Sequence, residues 1–194
     1  MVKKVVAIFR PEINNGISGV VLFTQKTNGT QVEFDLSGFK SGAEHAVHIH
    51  EYGDLRQGCK SLGGHFNPYN SKHGSIKYTA ERHAGDLINN LKCDVHGCFQ
   101  YKYLDDLLRV EDLPGRSVVI HRLTDDYGLQ GIIMNGNVFA YKAVSTSILA
   151  QLSRERGYPS NVSREKLIRK LNRESRITGN AGQRMGCAII GIAK

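Results

Sequence analysis

Two histidines lie one residue apart in the stretch AVHIHEYGD, residues 46–54. Successive side chains of a strand point to opposite faces, so His48 and His50 share one face, about 7 Å apart along the backbone. Two imidazoles on one face of a strand are either a pair of metal ligands or two hydrogen-bonded structural residues. Imidazole binds copper, zinc, iron and nickel, and a carboxylate adds a hard oxygen ligand.

The other histidines extend this pattern along the chain. They occur in GGHFNP, KHG, ERHAGD and VVIHRL, separated by Gly-rich and polar stretches. A single histidine is usually a structural residue, but this joint pattern indicates a shared site. Because no CxxC pair lies nearby, the set favours copper or zinc over an iron–sulfur cluster. The chain has eight histidines: His45, His48, His50, His65, His73, His83, His96 and His121.

The elements that would position these histidines are mostly strands. The stretch TQVEFDLSG (30–38) alternates strictly, with Val32, Phe34 and Leu36 on one side, as in an antiparallel strand with one wet face. Similar signals occur in KKVVAIF, ISGVVLFT and EHAVHIHE, and return at roughly 86–104, 115–123 and 187–193. Eight short strands separated by turn residues predict an all-β fold, an eight-stranded sandwich or barrel.

Two stretches depart from the strand pattern. Residues 51–85 lose periodicity and are rich in Gly, His, Asn and Ser, as functional or disordered loops are. Within 129–176, the stretch IIMNGNVFAY predicts a hairpin that turns at Asn135-Gly136. Residues 163–176 predict a helix with Ser163 as N-cap. Its apolar face carries Leu167, Ile168 and Leu171.

Charge is concentrated in one part of the chain. The formal net charge is +8, and residues 151–176 hold eight Lys/Arg and three Glu, a net +5. A basic segment could bind nucleic acid or attract a small anion, and a solvated helical face is the simpler interpretation. Tyr158 is its only aromatic residue, so base stacking, and with it nucleic-acid binding, has little support.

The length and the apolar pattern bound the class of protein. A chain of 194 residues favours one domain, or one domain with a large insertion. No apolar run reaches the ~18–20 residues of a membrane helix, so no membrane partner is expected. The apolar run in the N-terminal stretch MVKKVVAIFRPE is too short for a signal peptide. This predicts an intracellular, cytoplasmic protein. Its four cysteines are then reduced thiols by default.

The histidine motifs together carry a family resemblance. HAVHIHEYGD, GGHFNPYNSKHG, ERHAGDL, VVIHRLTDDYG and TGNAGQRMGCAIIGIA occur in this order over nearly the whole chain. They resemble the copper/zinc superoxide dismutases, apart from about 40 extra residues between Gly128 and Thr178. The resemblance implies a single domain over 1–194 with a Greek-key barrel, two long functional loops and a partly helical insertion at about 129–176. The insertion would lie in the loop that shapes the substrate channel.

The resemblance also implies one copper and one zinc ion per subunit. Asp125 would link a copper histidine to a zinc histidine, and Arg184 would guide the anionic substrate. His65 would bridge the two metals and take up a proton when copper is reduced. The implied copper ligands are His48, His50, His65 and His121, and the implied zinc ligands are His65, His73, His83 and Asp86.

The resemblance changes the expectation for two of the cysteines. Cys59 and Cys187 align with the intrasubunit disulfide of the family, which replaces the reduced-thiol default for this pair. Cys93 and Cys98 have no family counterpart, and free thiols are expected there ahead of a second disulfide or a metal site. His45 aligns with a structural histidine, and His96 is expected to be a solvated turn residue.

The implied activity converts superoxide to dioxygen and hydrogen peroxide, with copper cycling between Cu(II) and Cu(I) and zinc as an organiser. The alternative is a non-catalytic homologue that sequesters metal or a metallochaperone. Loss of Arg184 or of a copper histidine would favour that alternative, and none is lost.

The implied partners are superoxide and a second copy of the chain. Gly53, the turn at 113–116 and the C-terminal IIGIA match the surfaces through which the family forms homodimers. No proline lies beside Cys187, which by resemblance predicts that a copper chaperone is not strictly required. The net +5 of residues 151–176 either raises the local superoxide concentration or belongs to a surface appendage that points away.

Overall fold

One antiparallel sheet of eight strands dominates the structure. The computed structural model describes residues 2–134 and 137–194. The sheet has the order β6-β4-β8-β11-β1-β2-β3-β7 and curls into a nearly closed barrel, which confirms the predicted all-β fold. The strands are β1 (Lys4–Phe9), β2 (Ser18–Lys26), β3 (Gly29–Ser37), β4 (Glu44–His50), β5 (Arg56–Cys59), β6 (Asn89–Lys92), β7 (Phe99–Asp105), β8 (Ser117–His121), β9 (Gly131–Met134), β10 (Asn137–Ala140) and β11 (Arg184–Ile192).

The alternation of β3 sets one wall of the core. Val32, Phe34 and Leu36 are buried, whereas the intervening residues are intermediate or exposed. The same period-2 pattern places alternate residues of β1 and β2 in the barrel interior, because side chains of a strand alternate between faces. The core cluster also includes Val5, Ala7, Val21, Phe23, Val47, Ile49, Val118, Ile120 and Ile190.

Strand β4 separates the core from the histidine site. Its Val47 and Ile49 point into the barrel, so His48 and His50 point to the other face. In the register with β8, His48 lies opposite Val119. Strand β11 extends the same surface and pairs Arg184 with His121. The barrel strands therefore carry three histidines and one arginine to a single region.

The 129–176 segment has its own small core. Strands β9 and β10 pair in antiparallel register, whereas the predicted turn at Asn135-Gly136 lies outside the described residues. Helix α2 (Arg164–Thr178) begins after Ser163, whose side chain accepts a hydrogen bond from the Lys166 amide, and this confirms the predicted helix and its N-cap. The helix α1 (Thr146–Glu155) was not predicted. The buried residues of this core are Tyr141, Val144, Leu149, Leu167 and Leu171.

Neither α1 nor α2 has the length and apolar content that a membrane span requires, in the part of the chain that the structure describes. Cys59 and Cys187 form a disulfide with a Cα–Cα distance of 5.8 Å, which ties the 51–85 loop to β11. Cys93 and Cys98 are free thiols, as predicted.

Candidate metal centre

Three imidazoles converge on one buried carboxylate. The Oδ1 atom of Asp86 lies 2.9 Å from Nδ1 of His65, 2.9 Å from Nδ1 of His73 and 3.0 Å from Nδ1 of His83. Its Oδ2 atom accepts hydrogen bonds from the backbone amides of Gly74 and His83, which fix the carboxylate. Three nitrogens and one oxygen form a four-atom donor set of the kind that zinc prefers.

Two further histidines face each other beside this group. Nε2 of His50 and Nε2 of His121 are 3.3 Å apart. Nδ1 of His50 donates to the carbonyl of Gly63 and Nδ1 of His121 donates to the carbonyl of Gly182. With the proton on Nδ1, the lone pair of each Nε2 faces the partner ring, where it is available to a cation.

His48 and His65 join His50 and His121 in a second group of four histidines. The metal-ligating atoms of His48, His50, His65 and His121 lie within 4.8 Å of one another, and so do those of His65, His73, His83 and Asp86. Nδ1 of His48 and Nε2 of His65 are buried and have no hydrogen-bond partner among the described residues. Buried nitrogens without partners are costly, so a cation that takes both lone pairs fits this position. His65 belongs to both groups through its two ring nitrogens.

Asp125 joins the two groups from behind. Its Oδ2 lies 2.6 Å from Nε2 of His48 and its Oδ1 lies 2.9 Å from Nε2 of His73. Because Nε2 of His48 donates to the carboxylate, the lone pair of that ring is on Nδ1. Strand β6 holds Asp125 in turn: Asn90 bonds its backbone amide and carbonyl, and Nδ2 of Asn89 donates to its Oδ2.

Burial keeps the imidazoles of the second group neutral. Burial lowers the pKa of His48 to about 4, even though Asp125 opposes this shift. Burial and the neighbouring His48 lower the pKa of His65 to about 3, and burial and His65 lower the pKa of His121 to about 3. Neutral imidazoles offer lone pairs at neutral pH, which metal binding requires.

The first group, which consists of His65, His73, His83 and Asp86, differs in charge from the second. Burial alone would lower the pKa of His73, but the carboxylates of Asp125 and Asp86 raise it to about 10. Burial would raise the pKa of Asp86, but the hydrogen bonds from His65, His73 and His83 hold it well below its usual range. His73 is therefore protonated at neutral pH, with one ring nitrogen at each carboxylate. A bound dication would replace the proton on its Nδ1, which faces Asp86.

A cavity of about 330 Å³ gives access to the second group. Its lining includes His50, His65, His121 and Arg184. The Arg184 guanidinium donates to the carbonyl of Cys59 at 2.7 Å and to the carbonyl of Gly63. The carbonyl of Gly63 also accepts from His50, so one loop orients both the arginine and a histidine of the site.

Comparison with known proteins identifies the family. The family model for copper/zinc superoxide dismutase (SODC) matches residues 17–144. The chain belongs to the copper/zinc superoxide dismutase family. The chain is 34% identical to the superoxide dismutase [Cu-Zn] of Neurospora crassa, over 98% of this chain and 99% of that protein. It is 33% identical to that of Paramecium bursaria Chlorella virus 1, over 92% of this chain and 74% of that protein.

A solved structure extends the likeness to nearly the whole chain. The crystal structure of the clock protein EA4 superposes with a TM-score of 0.70 and 29% sequence identity, and covers 99% of this chain and 96% of that chain. The family model and the superoxide dismutase [Cu-Zn] relatives confirm the resemblance that the sequence motifs carry.

The structure brings every histidine that the superoxide dismutase resemblance predicts as a metal ligand into the two groups. The remaining two lie elsewhere. Nδ1 of His45 lies 3.0 Å from the carbonyl of His121, which agrees with the structural role expected for it. His96 is exposed in the turn between β6 and β7, as expected.

Residues of the 129–176 segment reach the site through Asp126, which the sequence motifs did not single out. The buried Asp126 carboxylate accepts hydrogen bonds from Tyr141 at 2.6 Å, Ser175 at 2.8 Å and Asn180 at 2.9 Å. Burial raises the pKa of Asp126. This network joins Tyr141, which precedes α1, and Ser175, which is near the end of α2, to the residue that follows Asp125. No local pattern announces it, because its members are up to 54 residues apart.

Proposed function

We propose that this chain dismutates superoxide, so that two superoxide ions and two protons give dioxygen and hydrogen peroxide. One observation carries the proposal: the unpartnered Nδ1 of His48 and Nε2 of His65 face the inward Nε2 atoms of His50 and His121, beside a cavity that Arg184 lines. Four neutral imidazoles form a donor set for copper, and an open, cationic cavity admits a small anion.

Each group of side chains has a separate task in the proposed reaction. His48, His50, His65 and His121 would hold copper, which supplies one-electron chemistry between Cu(II) and Cu(I). His65, His73, His83 and Asp86 would hold zinc, one ion per chain. Asp125 keeps the tautomers of His48 and His73 compatible with both sites.

Arg184 and His65 act on the substrate. The guanidinium of Arg184 is permanently charged and planar, so it binds the anion without competing for protons. Nδ1 of His65 is held at Asp86, and therefore Nε2 is the nitrogen of this ring that faces the cavity. Nε2 of His65 would hold copper; when it is not bound to the metal, it can hold a proton and pass it to the reduced substrate, and water can supply the second proton.

Metal analysis and a superoxide assay on the same sample test this proposal. The protein is loaded with copper and zinc, its metal content is measured, and superoxide decay is followed by stopped flow. We expect about one copper and one zinc per chain together with rapid decay. A fully loaded protein that leaves superoxide decay at the uncatalysed rate would contradict the proposal and favour the metal-sequestering alternative.

A homodimer is a further part of the proposal. The three stretches that the family resemblance assigns to dimer contacts are neighbours in the structure. A Cβ on Gly53 would lie 2.6 Å from the carbonyl oxygen of Gly115 and 3.1 Å from Cγ2 of Ile189. Beside them Ile8 is 55% and Ile192 is 70% exposed. Apolar side chains clustered on a surface favour pairing across a two-fold axis. Light scattering at micromolar concentration should give twice the chain mass, and a monomeric mass would refute the dimer.

A further inference from the structure

The cavity beside the proposed copper ligands has a second source of side chains. The copper-side lining comes from the barrel strands and from the 51–85 loop, which supplies His65. The rest of the lining includes Arg156, Tyr158 and Glu174, all from the 129–176 segment. Among the residues that the structure describes, the basic ones farther along that segment are not part of this lining. Arg164 donates to the carbonyls of Val144 and Lys142, and Nζ of Lys170 lies 3.8 Å from the ring centroid of Tyr158.

Arg156 is a nearly buried cation with few partners. Its side chain is 8% exposed, and its Nε has no hydrogen-bond partner among the described residues. Its Nη1 makes one long contact, 3.4 Å from the carbonyl of Leu152, and lies 4.0 Å from Oε2 of Glu155. A guanidinium has five N–H donors, and leaving a buried charge without partners is costly. A small anion in the cavity would relieve this cost.

A purely structural role accounts for only part of this arrangement. Arg156 follows the last residue of α1, and its backbone amide and Nη1 both reach the carbonyl of Leu152. A cation at a helix C-terminus stabilises the unpaired carbonyls there. That role uses one of the five N–H donors of the guanidinium. Arg156 also lines a second cavity, beside Asp126 and Glu155, and its Nε has no hydrogen-bond partner among the described residues on either side.

We propose that Arg156 is an anion-binding residue of this cavity and that, together with Arg184, it holds the small monovalent anion on which the site acts. This inference rests on the proposed function, since it takes copper at the histidines and superoxide as the anion. Glu174 opposes it: this residue also lines the cavity, and its side chain is 26% exposed. Arg173, 3.3 Å from Glu174, offsets part of that negative charge.

Azide titration of the copper- and zinc-loaded protein tests Arg156 without turnover. Azide is a small monovalent anion, and its binding to Cu(II) is followed by visible absorption at low salt, where charges are least screened. We expect Arg156→Gln to raise the dissociation constant of azide about two- to fivefold, the size of effect that one charge exerts over several ångströms. Arg156→Lys should restore most of the affinity, and Glu174→Gln should lower the dissociation constant.

Arg154→Gln is the matched control, because this substitution removes the same charge. Arg154 is exposed and lies two residues before Arg156, in α1. The substitution should leave the azide affinity at the wild-type value. Metal content is measured in each variant, so that affinities are compared at equal copper occupancy. If Arg156→Gln destabilises α1, the opposite shift in Glu174→Gln still tests the charge of the cavity.

Two results would overturn the inference. Wild-type azide affinity in a copper-loaded Arg156→Gln protein would leave Arg156 a helix cap only. Equal weakening in Arg154→Gln would mean that overall charge, and not Arg156, determines anion binding. Neither result depends on turnover: if the wild type binds copper and azide but does not consume superoxide, the proposed function fails while the azide series still decides the role of Arg156.

Discussion

Asp125 is the residue whose chemistry both metal groups share. Its two carboxylate oxygens accept from Nε2 of His48 and Nε2 of His73, so it sets which nitrogen of each ring is free. We expect Asp125→Asn to weaken copper and zinc binding about 10–100-fold, because an amide cannot accept from both rings with both of its ends. Competition with a chelator of known affinity measures both constants.

Asp106→Asn is the control for Asp125→Asn. The side chain of Asp106 is 84% exposed, and its ion-pair partner is Arg82, which is not a ligand in either histidine group. It should leave both metal affinities unchanged. Wild-type affinities in Asp125→Asn would show that the histidine tautomers do not depend on this carboxylate.

The sequence identifies the residues of the site, but it does not show which nitrogen of each imidazole is protonated. HxH on β4 places His48 and His50 on one face by strand periodicity alone. His65, His73 and His83 come from the 51–85 loop, which has no period, and only the resemblance connects them to β4. Asp86 follows that loop and His121 ends β8. The opposite protonation of His48 and His50 depends on Asp125 and the Gly63 carbonyl, which meet these rings only in the folded chain.

At the scale of elements, one covalent bond ties the 51–85 loop to β11. Cys59 and Cys187 are separated by 128 residues. Closing a loop of that length stabilises the folded state by roughly 4–5 kcal/mol through the entropy of the unfolded chain. Urea unfolding of the metal-free Cys59→Ser protein should show a loss of this order in the free energy of unfolding. Cys98→Ser, which changes a free thiol, should cost far less, and equal stabilities of the two variants would contradict the assignment.

The buried hydroxyl of Tyr141 anchors the 129–176 segment. It donates to Asp126 and accepts from Asn180. We expect Tyr141→Phe to lower the free energy of unfolding by about 1–3 kcal/mol, because a buried carboxylate loses a donor and the ring keeps its packing. Thermal unfolding measures the change. Tyr101→Phe on the exposed sheet surface is the control, and an equally small effect of both substitutions would show that this hydroxyl does not anchor the segment.

Elements with a regular alternation of apolar and polar residues could be predicted from the sequence. Elements whose stability depends on packing against distant residues could not. The alternation of Val32, Phe34 and Leu36 was enough to predict β3. Helix α1 was missed because ten residues make only a marginal helix on their own. It is stabilised by packing of Leu149 against Tyr141 and Leu171, which belong to the same cluster but lie outside α1.

For the whole molecule, the buried histidines make the stability of the metal-free protein depend on pH. The pKa is lowered to about 4 for His48 and to about 3 for His65 and His121. Between pH ~6.5 and ~4 the unfolded chain therefore binds protons that the folded chain does not, and stability falls as the pH falls. His73 acts oppositely: its pKa is raised to about 10, so its contribution is complete below pH ~6.5 and is lost as the pH rises toward 10.

The thermal midpoint of the metal-free protein should therefore be highest near neutral pH and decline on both sides. Calorimetry across the range from pH 4.5 to 9.5 checks this expectation, the range following from the ordinary and shifted pKa values. His96→Gln, which changes an exposed histidine, should leave the profile unchanged. A midpoint that rises on acidification would mean that the buried imidazoles are not held neutral.

In the proposed reaction, superoxide is consumed at copper held by the four converging imidazoles. The most direct measurement is a copper titration of the zinc-loaded protein, with superoxide decay followed by stopped flow at each step. The rate should rise in proportion to bound copper, stop rising at about one equivalent per chain, and stay at the uncatalysed level in a folded His48→Ala protein at every step. A rate that does not follow copper occupancy, or that survives in His48→Ala, would contradict the claim.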